Sequence, residues 1–215
     1  MSNADISLDE LERDALTELV NIGVSRAASS LRKMVNKQVF LSVPSVEIVT
    51  RKSAAALIGQ RETEALIAIQ QQFEGPFSGR ALLIFPESNG LQLVRAIVGD
   101  EMDQAEMEEM EAEALAETGN VILNGCLGSM ANMLQHTLKM SLPHVLRGNS
   151  DMLFEVLVSP VEDSFVLFLY IDFSVRERDI RGYIAMIMDL PSLDKLKQLI
   201  SQFIERVTGD PQGSA

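Results

Sequence analysis

Apolar residues recur at two spacings along this chain, one typical of an amphipathic helix and one typical of a strand. The first long helical stretch runs from Ser7 to about Asn36 without a proline, and Ser7 with Glu10 three residues later forms a capping-box pattern. The same spacing predicts three further helices, one over residues 87–98, one that begins near residue 105 and one over residues 192–208 with Ser192 as its cap.

Runs of β-branched and other apolar residues predict strands between these helices. They cover residues 38–49, 64–73, 79–85, 153–160, 164–174 and 182–190. The longest uninterrupted runs, at 165–171 and 81–85, are far shorter than the ~20 residues that a helix needs to cross a bilayer. We therefore expect buried strands and no insertion into a membrane.

Acidic residues outnumber basic ones in this chain of 215 residues, where 31 Asp and Glu against 18 Lys and Arg give a net charge of −13. Such a charge repels polyanions, which argues against nucleic acid and anionic membrane surfaces as partners. The single cysteine, Cys126, excludes an intrachain disulfide and a thiolate-rich zinc site. The expected location is therefore a reducing compartment, the cytoplasm.

One spacing of polar residues and a proline occurs twice, at an offset of 99 residues. It joins Asp14, Glu18, Asn21 and Pro44 in the first half, and Glu113, Glu117, Asn120 and Pro143 in the second. Each half continues through apolar segments to another matching proline. These observations predict a single domain over residues 1–208 with internal repeats at about 8–99 and 105–208, followed by a flexible tail at 209–215.

On each predicted long helix, the repeated polar residues share one face, because a helix turns by about 100° per residue. The first polar stripe consists of Asp14, Glu18, Asn21 and Ser25, and the second of Glu113, Glu117, Asn120 and Asn124. The opposite faces are apolar and are expected to cover the sheet; they carry Leu16, Val20, Val24, Ala27, Leu31 and Met34 in the first helix, and Leu115, Ile122, Cys126, Met130 and Met133 in the second.

A solvated helix face is the ordinary explanation for exposed Glu and Asn side chains. Asparagine, however, is a poor helix former in mid-helix, because its side chain competes for backbone hydrogen bonds. Its presence at the same point of both helices, three residues after a Glu, favours a function for Asn21 and Asn120.

These residues make the chain resemble the CheC/CheX/FliY phosphatases of bacterial chemotaxis. The family signature is an Asp or Ser, three residues, a Glu, two residues, an Asn, 22 residues and a Pro, which the first half matches completely. The second half departs from it by having Glu113 at the leading position. Two copies of the signature are typical of CheC. The resemblance implies an α+β fold with two pseudo-twofold-related halves, in which two long helices pack on a mostly antiparallel β-sheet.

The resemblance also implies that the chain hydrolyses the aspartyl phosphate of a CheY-like response regulator. Asn21 and Asn120 would each hold the attacking water, and Glu18 and Glu117 would each pair with the phosphate-site lysine of the receiver domain. An acyl phosphate is already activated, so positioning of the water can supply most of the acceleration. Mg²⁺ is expected in the receiver, with no cofactor or metal in this chain, and a CheD-like deamidase is a possible further partner.

Two alternatives remain open at this point. The same fold could act without turnover, as a binding module for a phosphorylated receiver, a CheD-like protein or a flagellar-switch partner. Alternatively, one repeat could be active and the other degenerate, with Glu113 a faint sign against the second. The acidic run at 100–117 is interpreted as a solvated face, His136 and His144 lack companions for a metal site, and Pro44 and Pro143 are expected to interrupt strands.

Overall fold

The computed structural model describes residues 8–35, 38–43, 45–98, 104–155, 164–175 and 178–209. The helices are α1 (Glu10–Val35), α2 (Arg51–Gly59), α3 (Glu87–Val98), α4 (Gln104–Met133), α5 (Ser150–Glu155) and α6 (Leu190–Thr208). The strands are β1 (Val39–Ser42), β2 (Val46–Thr50), β3 (Leu66–Glu74), β4 (Gly79–Pro86), β5 (Lys139–Met140), β6 (His144–Gly148), β7 (Ser164–Val175) and β8 (Arg178–Asp189). The order helix, two strands, helix, two strands, helix thus occurs twice.

The described strands form one eight-stranded sheet in the order β1-β7-β8-β4-β3-β5, with β2 also paired to β7 and β6 to β3. All of these pairs are antiparallel. At the centre, β4 of the first half pairs with β8 of the second, from Arg80 opposite Ile187 to Ile84 opposite Tyr183. Each edge consists of two short strands in succession.

Helices cover both faces of this sheet. On one face, α1, α3, α4 and α6 enclose the larger hydrophobic core, which includes Leu16, Val24 and Leu127. On the other face, α2 and α5 cover a smaller core with Ala54, Ile58 and Phe154. The predicted α+β fold, with two long helices on an antiparallel sheet, is confirmed.

The two long helices touch each other through glycines. A Cβ at Gly23 of α1 would lie 2.8 Å from the main-chain oxygen of Cys126 and 2.9 Å from its Cα. A Cβ at Gly125 of α4 would lie 2.7 Å from the Cβ of Ala27. Only glycine fits at these two positions, because α1 and α4 pack backbone against backbone there. This close packing fixes the two polar stripes relative to each other.

Both predicted helix caps are wrong in position. The first helix is capped by Asp9, whose Oδ1 accepts from the Glu12 nitrogen at 2.7 Å while the Asp9 nitrogen donates to Glu12 Oε2 at 3.1 Å. This is the reciprocal capping box, two residues after the predicted one. Ser7 lies outside the described residues. The last helix is capped by Asp189, whose side chain accepts from the Ser192 nitrogen.

The remaining differences concern short elements and one side chain. Residues 153–160 are not a strand in their described part, because Ser150–Glu155 forms α5 and pairs its apolar face with α2. The predicted strand over 38–49 is split into β1 and β2 around Pro44, which itself lies outside the described residues. Met34 is 41% exposed rather than buried, since it lies in the last turn of α1.

No helix in the described ranges combines the length and apolar character required to span a bilayer. The tail prediction falls mostly outside these ranges, because residues 210–215 are not described. Within them, Gly209 ends α6 with a left-handed backbone, and its nitrogen donates to the Glu205 oxygen.

Candidate functional site

The first polar stripe lies on the outer face of α1. Asp14, Glu18 and Ser25 are exposed, and Asn21 is half-buried. A shallow groove of about 540 Å³ follows this stripe and is lined by Glu18, Asn21, Ile22, Ser25, Arg26, Ser29 and Ser30. The spacing therefore places these residues on one surface, as the helical period predicts.

Asn21 does not point freely into solvent, because both polar atoms of its side chain bind the main chain of Val43. Its Nδ2 donates to the Val43 oxygen at 3.1 Å, and its Oδ1 accepts from the Val43 nitrogen at 3.0 Å. Val43 is only 2% exposed, so its main-chain groups need these partners. In this conformation Asn21 closes the connection between β1 and β2.

The second polar stripe lies on α4, with Glu113 and Glu117 exposed and Asn120 and Asn124 half-buried. Asn120 is held by its oxygen alone: Oδ1 accepts from Gln71 Nε2 at 3.0 Å and from Asn124 Nδ2 at 2.6 Å. Within the described ranges, its Nδ2 makes no hydrogen bond. The Asn120 amide group is thus oriented and still able to donate.

A glycine allows α4 to lie close enough to the sheet for this contact. A Cβ at Gly119 would run into the side chain of Ile69 on β3, two residues before Gln71. The corresponding residue of α1 is Val20, which is accommodated in the core. Gly119, next to Asn120, is therefore required for the packing of α4 on the sheet.

Gln71 is a member of this site that the sequence analysis missed. It is 1% exposed on β3, and its Nε2 also donates to the main-chain oxygen of Ser141 at 2.8 Å. Its Oε1 is buried and has no partner among the described residues. The sequence signal for Gln71 was the run of three glutamines, Gln70 to Gln72, inside a largely apolar strand. Successive side chains of a strand point to opposite faces of the sheet, so Gln71 has to face the side opposite to its two neighbours.

The residues before the two prolines differ in exposure. Val43 is buried, whereas Leu142, its counterpart 99 residues later, is 81% exposed. The Leu142 oxygen accepts from the Ser141 hydroxyl at 2.9 Å rather than from Asn120. An exposed leucine therefore stands beside the second stripe and has no equivalent at the first.

The carboxylates of Glu18 and Glu117 are unpaired within the described part of the chain. Arg147, by contrast, forms ion pairs with Glu111 at 2.6 Å and with Glu87 at 2.7 Å. Each stripe consequently presents an exposed carboxylate one helical turn from an asparagine amide. Of the acidic run at 100–117, residues 100–103 and the side chains of 104–109 lie outside the description.

No group of three or more His, Cys, Asp or Glu residues that could hold a metal ion occurs in the described ranges. Cys126 is a core residue of α4, as predicted, and burial raises the pKa of its thiol to about 12. The thiol therefore stays protonated at neutral pH, which suits packing rather than nucleophilic chemistry.

Two family models match the chain. The model described as chemotaxis phosphatase CheX covers residues 67–157, and the CheC-like family covers residues 11–48. The second stripe lies inside the former match and the first stripe inside the latter. The CheX match begins in the first half, at β3, and extends through α4.

Individual relatives agree with these matches. The chain is 24% identical to the CheY-P phosphatase CheC of Bacillus subtilis (strain 168) over 199 residues, which are 88% of this chain and 93% of that protein. It is 27% identical to the flagellar motor switch phosphatase FliY of the same strain over 140 residues, 64% of this chain and 36% of FliY. Among solved structures, FliY of Thermotoga maritima has a TM-score of 0.70 at 17% identity, covering 91% of this chain and 98% of that one.

Proposed function

Because the chain belongs to the CheC/CheX/FliY family of chemotaxis phosphatases, we propose that it hydrolyses the aspartyl phosphate of a phosphorylated CheY-like receiver domain. The observation that carries this proposal is the pairing, on each long helix, of an unpaired exposed Glu with an Asn one turn further on. The chain is a hydrolase in this proposal, and its substrate is the phosphorylated active site of another protein rather than a small molecule.

In the proposed reaction, Asn120 positions the attacking water. Its free Nδ2–H donates to one lone pair of the water oxygen, which leaves the other lone pair directed at phosphorus. The water oxygen forms the new P–O bond, the bond to the receiver's aspartate breaks, and the proton passes to the phosphate product. Little covalent chemistry is required of this chain, because the acyl phosphate is already activated.

Glu117 and Glu18 dock the receiver in this proposal. Each exposed carboxylate forms an ion pair with the lysine at the receiver's phosphate site, which brings the neighbouring asparagine to the phosphoryl group. The Mg²⁺ belongs to the receiver, and this chain acts with no cofactor of its own. The reaction takes place in the cytoplasm, with a CheD-like deamidase as a further partner.

We further propose that the two sites work at different rates. The Asn21 amide is held in place by two hydrogen bonds to Val43, each worth about 0.5–1.5 kcal/mol net, and turning it toward a docked phosphoryl group breaks both. Asn120 needs no such release, since only its oxygen is held. Most of the turnover is therefore assigned to the second site, even though Glu113 departs from the family signature.

The decisive test measures phosphate loss from a phosphorylated CheY-like receiver, with this protein at about one-tenth of the receiver concentration. A phosphatase turns over repeatedly, so the whole receiver pool is expected to decay faster than it does alone. A binding module can affect only as many receivers as it has sites. Retention of a stoichiometric fraction, with the rest decaying at its own rate, would favour the binding alternative.

Replacement of Leu142 by serine is expected to weaken receiver docking and leave the chemistry intact. Leu142 is 81% exposed beside Asn120, and covering a leucine contributes about 1.5–3 kcal/mol. We expect KM for the phosphorylated receiver to rise roughly tenfold at nearly constant kcat. Steady-state decay at varied receiver concentration measures both constants. Val207→Ser, at the end of α6, is the matched exposed control, and an equal KM change there would contradict a docking role.

A further inference from the structure

The buried amide of Gln71 lies directly behind Asn120. Its Nε2 donates both to the Asn120 side-chain oxygen at 3.0 Å and to the Ser141 main-chain oxygen at 2.8 Å, and its own oxygen is buried with no partner in the part of the chain that the structure describes. A buried unpaired acceptor lowers stability. An apolar residue at position 71 would avoid that cost. Packing alone therefore does not explain a glutamine here, and its role is to be sought in the hydrogen bonds that it donates.

The contacts determine which way the Asn120 amide faces. A main-chain carbonyl only accepts hydrogen bonds, so the Gln71 atom facing Ser141 must be its nitrogen. The second hydrogen on that nitrogen is directed at Asn120, which must therefore present its oxygen. Asn124 donates to the same oxygen at 2.6 Å. The Ser141 main chain thus fixes the orientation of the Gln71 amide, and Gln71 in turn fixes that of Asn120. As a result, the NH₂ group of Asn120 points outward.

The first site lacks this arrangement at the corresponding position. Val46 pairs with Leu169, and Val145, its counterpart 99 residues later, pairs with Ile69, so β3 and β7 correspond at an offset of 100. The counterpart of Gln71 is then Ile171, which is 2% exposed and cannot donate. At the first site Asn21 binds the main chain of Val43 in the connection between β1 and β2 instead.

We propose that Gln71 is the positioning residue of the second site: it fixes the Asn120 carboxamide with its NH₂ group toward the docked phosphoryl group. This role rests on the proposed phosphatase function, because it assigns a task to a residue of the same site. Gln71 itself touches neither water nor phosphate. It acts only through the orientation of Asn120.

The test uses the full chain carrying Asn21→Ala, which isolates the second site, with Gln71→Ile added to copy the residue found at position 171. Loss of the donor frees the Asn120 amide to rotate, so kcat for receiver dephosphorylation is expected to fall about tenfold while KM stays within about twofold. The melting temperature is expected to change little, because removal of the unpaired buried oxygen offsets the loss of the hydrogen bonds to Ser141 and Asn120. A packing role would instead lower the melting temperature and kcat together.

A second variant, Gln71→Glu, keeps the shape and replaces the NH₂ group, which donates to two oxygens, by a carboxyl group that can donate at most one hydrogen bond. Gln72→Glu is its matched control, because Gln72 is exposed on the same strand and undergoes the same change of charge. We expect a fall in kcat at Gln71 only, and no fall in a chain that carries Asn120→Ala with Asn21 intact, where the first site alone turns over. An unchanged kcat in Gln71→Ile, or an equal loss in the Asn120→Ala background, overturns the proposal.

The side-chain amide signals of Asn120 in a heteronuclear NMR spectrum give a readout independent of activity. They are expected to move in Gln71→Ile and to stay in place in Gln72→Glu. Unmoved signals overturn the positioning role, whatever the activity. If the signals move but the parent chain shows no phosphatase activity, the result supports the positioning of Asn120 by Gln71. It then counts against the proposed function and not against the positioning role.

Discussion

Replacing Asn120 with alanine is expected to remove most of the phosphatase activity, whereas Asn21→Ala is expected to leave more than about half of it. The reason is the difference in hydrogen bonding. Release of Asn21 from Val43 costs about 1–3 kcal/mol for its two bonds. That cost corresponds to a rate roughly 5- to 150-fold lower than at a site with no such requirement. The double variant is expected to decay at the receiver's own rate.

The measurement is the initial rate of phosphate release from a phosphorylated receiver at catalytic amounts of each variant. Asn132→Ala serves as the control, since Asn132 is an exposed asparagine further along α4, and its loss is expected to change nothing. A larger loss from Asn21→Ala than from Asn120→Ala would reverse our assignment of the two sites. Full activity in the double variant would remove the asparagines from the mechanism altogether.

Alanine substitutions at two helical glycines are expected to change stability in opposite directions. Gly23→Ala should lower the free energy of unfolding by about 1–3 kcal/mol, because its Cβ would meet main-chain atoms of Cys126 that cannot rotate away. Gly128→Ala should raise it by about 0.5–1 kcal/mol, because a Cβ there meets nothing within 4 Å and alanine loses less backbone entropy in a helix.

Chemical denaturation of both variants and the parent chain tests this pair. The Gly128 variant is the matched control, because it makes the same substitution in a helix of the same layer. If both variants gain stability, α1 and α4 do not approach each other as closely as the Gly23 and Gly125 contacts require. The receiver-dephosphorylation rate of the Gly23 variant then reports whether the helix crossing also holds the two stripes in place.

Long-range contacts explain most of what the sequence could not predict about the site. The helical period correctly placed Glu18 and Asn21 on one face of α1, since that depends only on local geometry. It could not reveal that the Asn21 side chain turns back to Val43, 22 residues away, because the partner is brought there by tertiary packing. Gln71 was missed for the same reason: its function depends on a helix 49 residues further along the chain.

The fold was predictable where elements are long and their apolar pattern is strong. The two long helices, the helix over 87–98 and the strand ending at Pro86 agree with the prediction closely. The short helix α2 was not predicted, because its buried face consists of Ala54, Ala55 and Ile58, which give a weak signal. The helix α5 was mistaken for a strand, since its apolar residues form a run of strand length.

The central pairing of β4 with β8 has a consequence for how the molecule unfolds. Main-chain hydrogen bonds across this pair join the halves, so each half alone would leave one edge of a long inner strand unpaired. Exposed strand edges of that kind promote aggregation. We therefore expect the repeated order of elements not to form two independent folding units. Both sites are governed by a single folding equilibrium, and a destabilising change anywhere in the sheet depletes them together.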